Sequence, residues 1–254
     1  MLKRGILIAL LFASALVGRG AEDLDALLKQ GLTAEVRLDP RAALVFFRQA
    51  DAAKPDDPFI LQKIAQQLSD STSVAPLPAK EERRRLVGEA LTYAQRAAAL
   101  APKNALNVLS VAICYGKLAL DSGTRAKIEN SRLVKRHAEE ALALDAASDW
   151  AHHILARWHL EVASLGFADR IALKVVYGGL PSATVAEAIA HFQRAAELAP
   201  KQPSHHIELA FALLAASRKA DARREFQAGL DLPDSMVVDA EAKERARAAL
   251  AKLK

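Results

Sequence analysis

Small and large apolar positions follow one another in a fixed order over residues 27–55: Leu27, Gly31, Ala43, Phe47, Ala50 and then Pro55, with polar residues between them. This order predicts two helices in contact. Small residues sit where the helices touch, large ones fill the gap, and Pro stops the second helix. The end of that second helix recurs along the chain. It reads Ala50 to Pro55, Ala97 to Pro102, Ala141 to Ala146, Ala195 to Pro200 and Gly229 to Asp234. The spacing exceeds a unit of about 34 residues where segments 69–80, 121–132 and Ser164 to about Ala183 are inserted between the two helices. Five helical hairpins are predicted, near 24–57, 58–104, 105–148, 149–202 and 203–236, with 237–253 as an amphipathic capping helix.

The unit matches the tetratricopeptide spacing W-x2-L-G-x2-Y, then A-x3-F-x2-A and a closing Pro. The expected fold is therefore all-α, a tetratricopeptide-like α-solenoid formed by one domain over 21–254. Local signals agree. Asp39-Pro40 and Asp57-Pro58 read as N-caps followed by Pro at the first helical position. Thr184 to Glu187 reads as a capping box. The run Glu81 to Arg85 reads as a solvated first turn with its acids toward the helix dipole.

The N-terminus departs from this pattern. Two cations in Met1 to Arg4 precede the apolar run Gly5 to Val17, then Gly18-Arg19-Gly20. That is the order of a signal peptide, cut after Gly20, and the run is shorter than the roughly 20 residues that span a bilayer. An exported chain is expected, periplasmic in a Gram-negative source. An uncleaved N-terminal anchor is the alternative.

Composition narrows the rest. Apolar residues make up 52% but aromatics 5%, which favours close-packed helices over a sandwich or barrel. The net charge is +5, of which Lys3, Arg4 and Arg19 supply three, so no nucleic-acid footprint is indicated. A lone Cys114 excludes an intramolecular disulfide and a cysteine-rich zinc site.

In such a stack the first helix of each hairpin lines the concave face, and positions 2, 5, 9 and 12 of the repeat share one side. The mapping gives a largely apolar groove: Leu28, Leu32, Phe59, Leu109, Ile113, Trp150, Ile207, Phe211 and Leu214, with His153 and Arg157 as the polar groups near its middle. Such a groove suits a helix, an extended peptide or an acyl chain, unless the protein fills it with its own segments. In the third insertion Phe167, Ile171, Val175, Val176 and Tyr177 form an apolar stripe beside Arg170 and Lys174. It reads either as a contact for a lipid head group or partner through Phe167, Arg170 and Lys174, or as an extra helix packed outside the stack.

No catalytic motif, metal-ligand spacing or cofactor loop is present. His152 and His159 lie seven apart on one face without a third ligand, and read as packed histidines. His153, Arg157 and Glu161 step by four as a charged ladder. An enzyme built on the His152–Glu161 cluster would need these side chains to converge in a cleft.

Residues 149–200 sharpen the assignment. His152, His153, Leu155, Arg157 and Trp158 are followed by Arg170, then by Gly178, Pro181 and Ser182, then by Ala188, Phe192, Ala195 and Pro200. This stretch resembles the regulator of microtubule dynamics protein family, with Ala156 where the family carries Gly. The resemblance extends from about residue 27 to 236. It implies a helical fold without catalytic chemistry, an association of animal members with microtubules or membranes, and in one branch with phospholipid. The expected function is a non-enzymatic exported scaffold that holds a protein or peptide segment and needs neither cofactor nor metal. A phospholipid-binding envelope protein is the alternative, and microtubule association ranks behind both.

Overall fold

The structure is a computed structural model and describes residues 23–253, apart from the side chains of Phe167, Arg170 and Ala172. The leader expected over 1–20 lies outside the described residues. Among the described residues there are helices and one short 3-10 turn, and no strand.

Helix α1 covers 23–36. It is followed by α2 (Pro40–Ala53), α3 (Pro58–Asp70), α4 (Lys80–Leu100), α5 (Ala105–Leu120), α6 (Thr124–Leu144) and α7 (Asp149–Ala163). Then come α8 (Phe167–Tyr177), α9 (Val185–Leu198), α10 (Pro203–Ala215), α11 (Lys219–Asp231) and α12 (Asp239–Lys252). Helices α3 and α4, α5 and α6, α7 and α9, and α10 and α11 pack as hairpins, and each hairpin leans on the next. In the first hairpin Gly31 of α1 lies against the Phe47 ring of α2, leaving no room for a Cβ. Helix α12 closes the stack on α10 and α11.

The caps set the helix starts. Asp57 accepts from the backbone N–H groups of Phe59 and Ile60 at 2.9 and 3.3 Å, and Asn104 from those of Leu106 and Asn107 at 3.0 and 3.2 Å. Asp39 and Ser148 open α2 and α7 in the same way. Each such cap stabilises its helix by about 1 kcal/mol. At α9 the Thr184 hydroxyl accepts from the Glu187 N–H at 3.1 Å and donates to the Glu187 carboxylate at 2.7 Å.

The core runs between the two helices of each hairpin. Phe47, Phe192 and Phe226 are fully buried at equivalent places, and Ala94 and Ala138 occupy that place in the second and third hairpins. The second insertion lengthens a helix, whereas the first forms the connection after α3, a 3-10 turn at Ser71–Ser73 followed by irregular chain to residue 79. Residues from 80 and from 124 onward are helical, so α4 and α6 each reach 21 residues. The third insertion forms α8, which ends at Gly178 with φ 73°, a left-handed conformation that glycine adopts without strain.

Candidate functional site: the inner face of the stack

The first helices of the hairpins present a common face at steps of four, three and four residues, which keeps the side chains on one stripe. In α3 these are Phe59, Lys63, Gln66 and Asp70. In α5 they are Leu106, Ser110, Ile113 and Lys117, and in α7 Trp150, Ile154, Arg157 and Glu161. Helix α10 adds Glu208 and Phe211, α1 adds Glu35, and α12 adds Glu241 and Arg245.

Charge runs along this face and is paired between neighbouring rungs. The Lys63 ammonium donates to both carboxylate oxygens of Glu35 at 2.8 Å and lies 5.8 Å from the Phe59 ring. The Gln66 amide donates to the same carboxylate at 3.0 Å. Lys117 reaches back to the end of α3, donating to the Ser69 carbonyl at 2.6 Å and to the Thr72 and Ser73 hydroxyls at 3.2 and 3.3 Å. Arg245 of α12 pairs with Glu208 at 2.7 Å and stacks 4.6 Å over the Phe211 ring. Helix α12 thus covers part of the last rung.

The electrostatics follow from enclosure. Burial raises the Asp70 carboxyl above its ordinary range and nearby Glu35 adds to this, against the pull of Lys117 and Lys63. Burial lowers the Lys117 ammonium, and Arg157 adds to it. At Arg157 burial acts downward too, but Glu208, Glu161 and Glu241 outweigh it and hold the guanidinium above its ordinary value. Its ion pair with Glu161 spans 3.3 Å, and 42% of its side chain remains exposed. Arg157 is therefore a cation enclosed by the stack, yet open to solvent at the middle of the inner face.

The expected groove residues divide. Phe59, at 46% exposure, Ile113, Trp150, Arg157 and Phe211 lie on the inner stripe. Leu109, His153 and Ile207 do not line it: they are buried at 1, 3 and 0% exposure. All three stand at the fifth position of the repeat, which is turned toward the paired helix. Leu109 packs with Ala138 and Ala141. Ile207 occupies the space that Gly229 leaves open. His153 meets the Phe192 ring edge-on at 5.3 Å. Leu28 and Leu32 line a shallow depression of about 500 Å³ on α1, with Asp25, Lys29, Thr33 and Val36. Leu214 and Phe211 line another of about 360 Å³ with Arg245 and Leu253. The side chains of Phe167 and Arg170 lie outside the described residues, and Lys174 is exposed. The largely apolar face expected from the sequence is thus a charged one with apolar side chains between the charges.

The histidines form two lines across α7, α9 and α10. His205 Nε2 pairs with the Asp149 carboxylate at 2.9 Å, and the Nδ1 atoms of His205 and His153 pair with each other at 2.9 Å. The Trp150 ring lies 4.7 Å from His153 and 5.0 Å from His205. His152 donates from Nε2 to the Ala146 carbonyl at 3.2 Å, and its Nδ1 pairs with His191 Nδ1 at 2.8 Å. These side chains point at neighbouring helices and do not converge with Glu161 in a cleft, which removes an acid–base cluster there. Among the described residues no group of three His, Cys, Asp or Glu is placed to hold a metal ion. Among the same residues no helix is long and apolar enough to cross a membrane.

The family described as Regulator of microtubule dynamics protein 1-3 matches residues 21–254. The chain belongs to this family. Regulator of microtubule dynamics protein 1 of Bos taurus is 30% identical over 154 residues, covering 61% of this chain and 48% of the bovine one. Regulator of microtubule dynamics protein 3 of Xenopus laevis is 30% identical over 140 residues, covering 55% of this chain and 30% of that protein. The chain thus spans about half or less of the length of these curated relatives. Among solved structures, a thermophilic TPR protein of Thermus thermophilus superposes with a TM-score of 0.65 at 17% identity, over 90% of this chain and 99% of that one. Pseudomonas aeruginosa pilF does so with a TM-score of 0.54 at 16% identity, over 92% and 93%. Both likenesses concern the fold. This member of the family is an all-α, tetratricopeptide-like solenoid.

Proposed function

We propose that this family member is an exported scaffold that holds a protein or peptide segment along the inner face of its stack, with Arg157 orienting an anionic group at the centre. The observation that carries this reading is Arg157 itself: enclosed, half-open to solvent and bound by a single stretched ion pair. Such a guanidinium has donors left for a carboxylate. Ile113, Trp150 and Phe211 offer apolar contact on either side. Burial of apolar surface, at about 25 cal/mol per Å² before association costs, would supply the affinity, and the charged ladder would supply register.

A phospholipid in the same face is the alternative. Its acyl chains would lie along Glu35, Lys63, Asp70 and Lys117, which is unfavourable for hydrocarbon, and the peptide reading is preferred for that reason. The microtubule role named for the relatives ranks behind both in an exported chain.

Photo-crosslinking in the native envelope tests the reading. A crosslinker at Ile113 or Phe211 is expected to trap one partner, and the same probe at exposed Val45 on α2 is expected to trap none. Equal trapping at Val45, or undiminished trapping from Ile113 in an Arg157→Glu background, would overturn it.

A further inference from the structure

Helix α12 closes the stack with little apolar surface of its own. The side chains it buries are Asp239, Ala242, Lys243 and Ala246, where α9 and α11 bury Phe192 and Phe226. Its attachment is polar and concentrated at its start. The Asp239 carboxylate accepts from the Gln202 amide at 2.9 Å, from the Ser204 hydroxyl, and from the backbone N–H groups of Ser235 and Met236 at 2.9 and 2.8 Å. Lys243 donates to the Leu232 carbonyl and pairs with Asp234. Further along, Arg245 meets Glu208 and the Phe211 ring, Arg223 of α11 donates to the Leu253 carbonyl, and Leu250 and Leu253 are half-buried. This part of the helix does not fill its seat. The depression of about 360 Å³ that remains is lined by Phe211 and Leu214 of α10 and by Ala248, Ala249 and Leu253 of α12. The two alanines are too short to cover the large apolar side chains beneath them.

The charges that α12 turns inward have an order. Glu241 and Arg245 stand one turn apart on the same side of the helix. Arg245 pairs at 2.7 Å with Glu208, whose side chain is 7% exposed. Glu241 is exposed, and its carboxylate acts on Arg157 and on Lys117, helping to keep both cations charged. The helix thus supplies an anion toward the cation at the centre of the inner face, and a cation toward the buried anion of the next rung. A partner segment that reaches Arg157 and Glu208 must bring the same two charges in the same order.

We propose that α12 is a displaceable lid, and that the partner segment is an amphipathic helix that takes its seat on α10. Such a helix sets a carboxylate toward Arg157, a cation one turn later toward Glu208, and large apolar side chains after that over Phe211 and Leu214. Those apolar side chains favour it over α12, whose alanines leave the depression open. The start of α12, held by Asp239, is the hinge. The proposal rests on the reading that the partner meets Arg157, and adds what the partner is and what it displaces.

The test uses the full chain and a synthetic peptide of residues 237–253 carrying Ala248→Leu and Ala249→Leu, labelled with fluorescein and followed by anisotropy. This peptide is expected to bind about tenfold more tightly than the unaltered one, which has no apolar advantage over α12. Glu241→Gln or Arg245→Ala within the peptide is expected to remove most of the binding. Lys243→Gln in the protein loosens the lid and leaves the charges of the inner face in place, so it is expected to tighten the peptide several-fold. Ala249→Leu in the protein fills the depression from within, so it is expected to raise Tm and weaken the peptide. Should Lys243→Gln melt without cooperativity, Ala249→Leu decides alone. Failure of the doubly substituted peptide to bind overturns the proposal, as does binding indifferent to Glu241→Gln or unchanged by the variants of the protein. The scaffold reading is judged apart from this, by photo-crosslinking: trapping from Ile113 that is undiminished in Arg157→Glu overturns it, whatever the peptide does. Trapping that depends on Arg157 but is equal in wild type and Lys243→Gln leaves the scaffold standing and overturns the lid.

Discussion

Replacing Gly229 by Ala probes the contact on which the last hairpin rests. A Cβ at this position of α11 would stand 2.6 Å from Ile207 Cγ1, 3.0 Å from the Pro203 carbonyl oxygen and 3.3 Å from His206 Cβ. Ile207 is fully buried, and the Pro203 carbonyl belongs to the first turn of α10, so relief requires the two helices to part. In an unobstructed helix, Gly→Ala stabilises by about 1 kcal/mol. Overpacking of a filled interior costs about 1–3 kcal/mol. With a backbone oxygen among the obstacles the upper end applies, and the net loss is about 1–2 kcal/mol. At about 2–4 °C per kcal/mol for a chain of this size, Tm should fall by roughly 2–8 °C. Gly88 in α4 supplies the control, because a Cβ there meets nothing within 4 Å. Gly88→Ala should raise Tm by roughly 2–4 °C through helix propensity alone. Melts followed by far-ultraviolet circular dichroism decide the matter. A Gly229→Ala protein as stable as wild type, or a Gly88→Ala protein that loses stability, would refute the packing argument.

Acid should weaken the seam between α7, α9 and α10. Burial lowers His153 well below 6.5, with His205 and Arg157 adding to it, and burial also lowers His159 and His191. The unfolded chain therefore takes up protons first. Stability is complete above the ordinary imidazole value and falls as pH drops through it, by about 1.4 kcal/mol per pH unit for His153. His206, raised by its hydrogen bond to Glu225, acts in the opposite sense. Urea midpoints should fall between about pH 7 and pH 5, and His153→Gln should flatten the slope; a flat wild-type profile would contradict this. Asp57→Ala removes a side chain that caps two backbone N–H groups and pairs with Lys54 at 2.7 Å. It should cost about 1 kcal/mol, with Asp57→Ser recovering most of it, as urea titration would report. Native mass spectrometry of protein purified from its own envelope should show no phospholipid released only by unfolding, and a stoichiometric lipid would favour the alternative occupant.

The hairpins were legible because the residues that define them answer to contacts inside one unit. Gly31 must be small for Phe47, Gly229 for Ile207, and both pairs lie within a single repeat. The rotation of each first helix was not legible. Positions five and six of the repeat differ by one residue, or about 100° around the axis. Only the neighbouring rungs decide which of them turns inward. That is why Leu109, His153 and Ile207 proved buried, while Lys63 and Glu208 stand on the inner stripe. The partners of the charged ladder are far apart in the chain: Lys63 finds Glu35, and Lys117 finds Ser69. A signal was nevertheless available, since Asp70, Lys117 and Glu161 fall at the same register of three successive first helices. The paired histidines could not be foreseen either, because His153 and His205 come from different hairpins and meet only once α7 and α10 are stacked.

The central claim is that the inner face, through Arg157, is where this protein engages its partner. The most direct measurement is the Kd of the crosslinked partner's segment for three proteins: wild type, Arg157→Glu, and Arg194→Glu on α9, whose exposed guanidinium pairs only locally with Glu197. Truncating or reversing one side of an enclosed charge pair costs about 2–5 kcal/mol, so Arg157→Glu should weaken binding at least tenfold. Arg194→Glu should change it by less than about twofold. Equal affinities for wild type and Arg157→Glu would contradict the account.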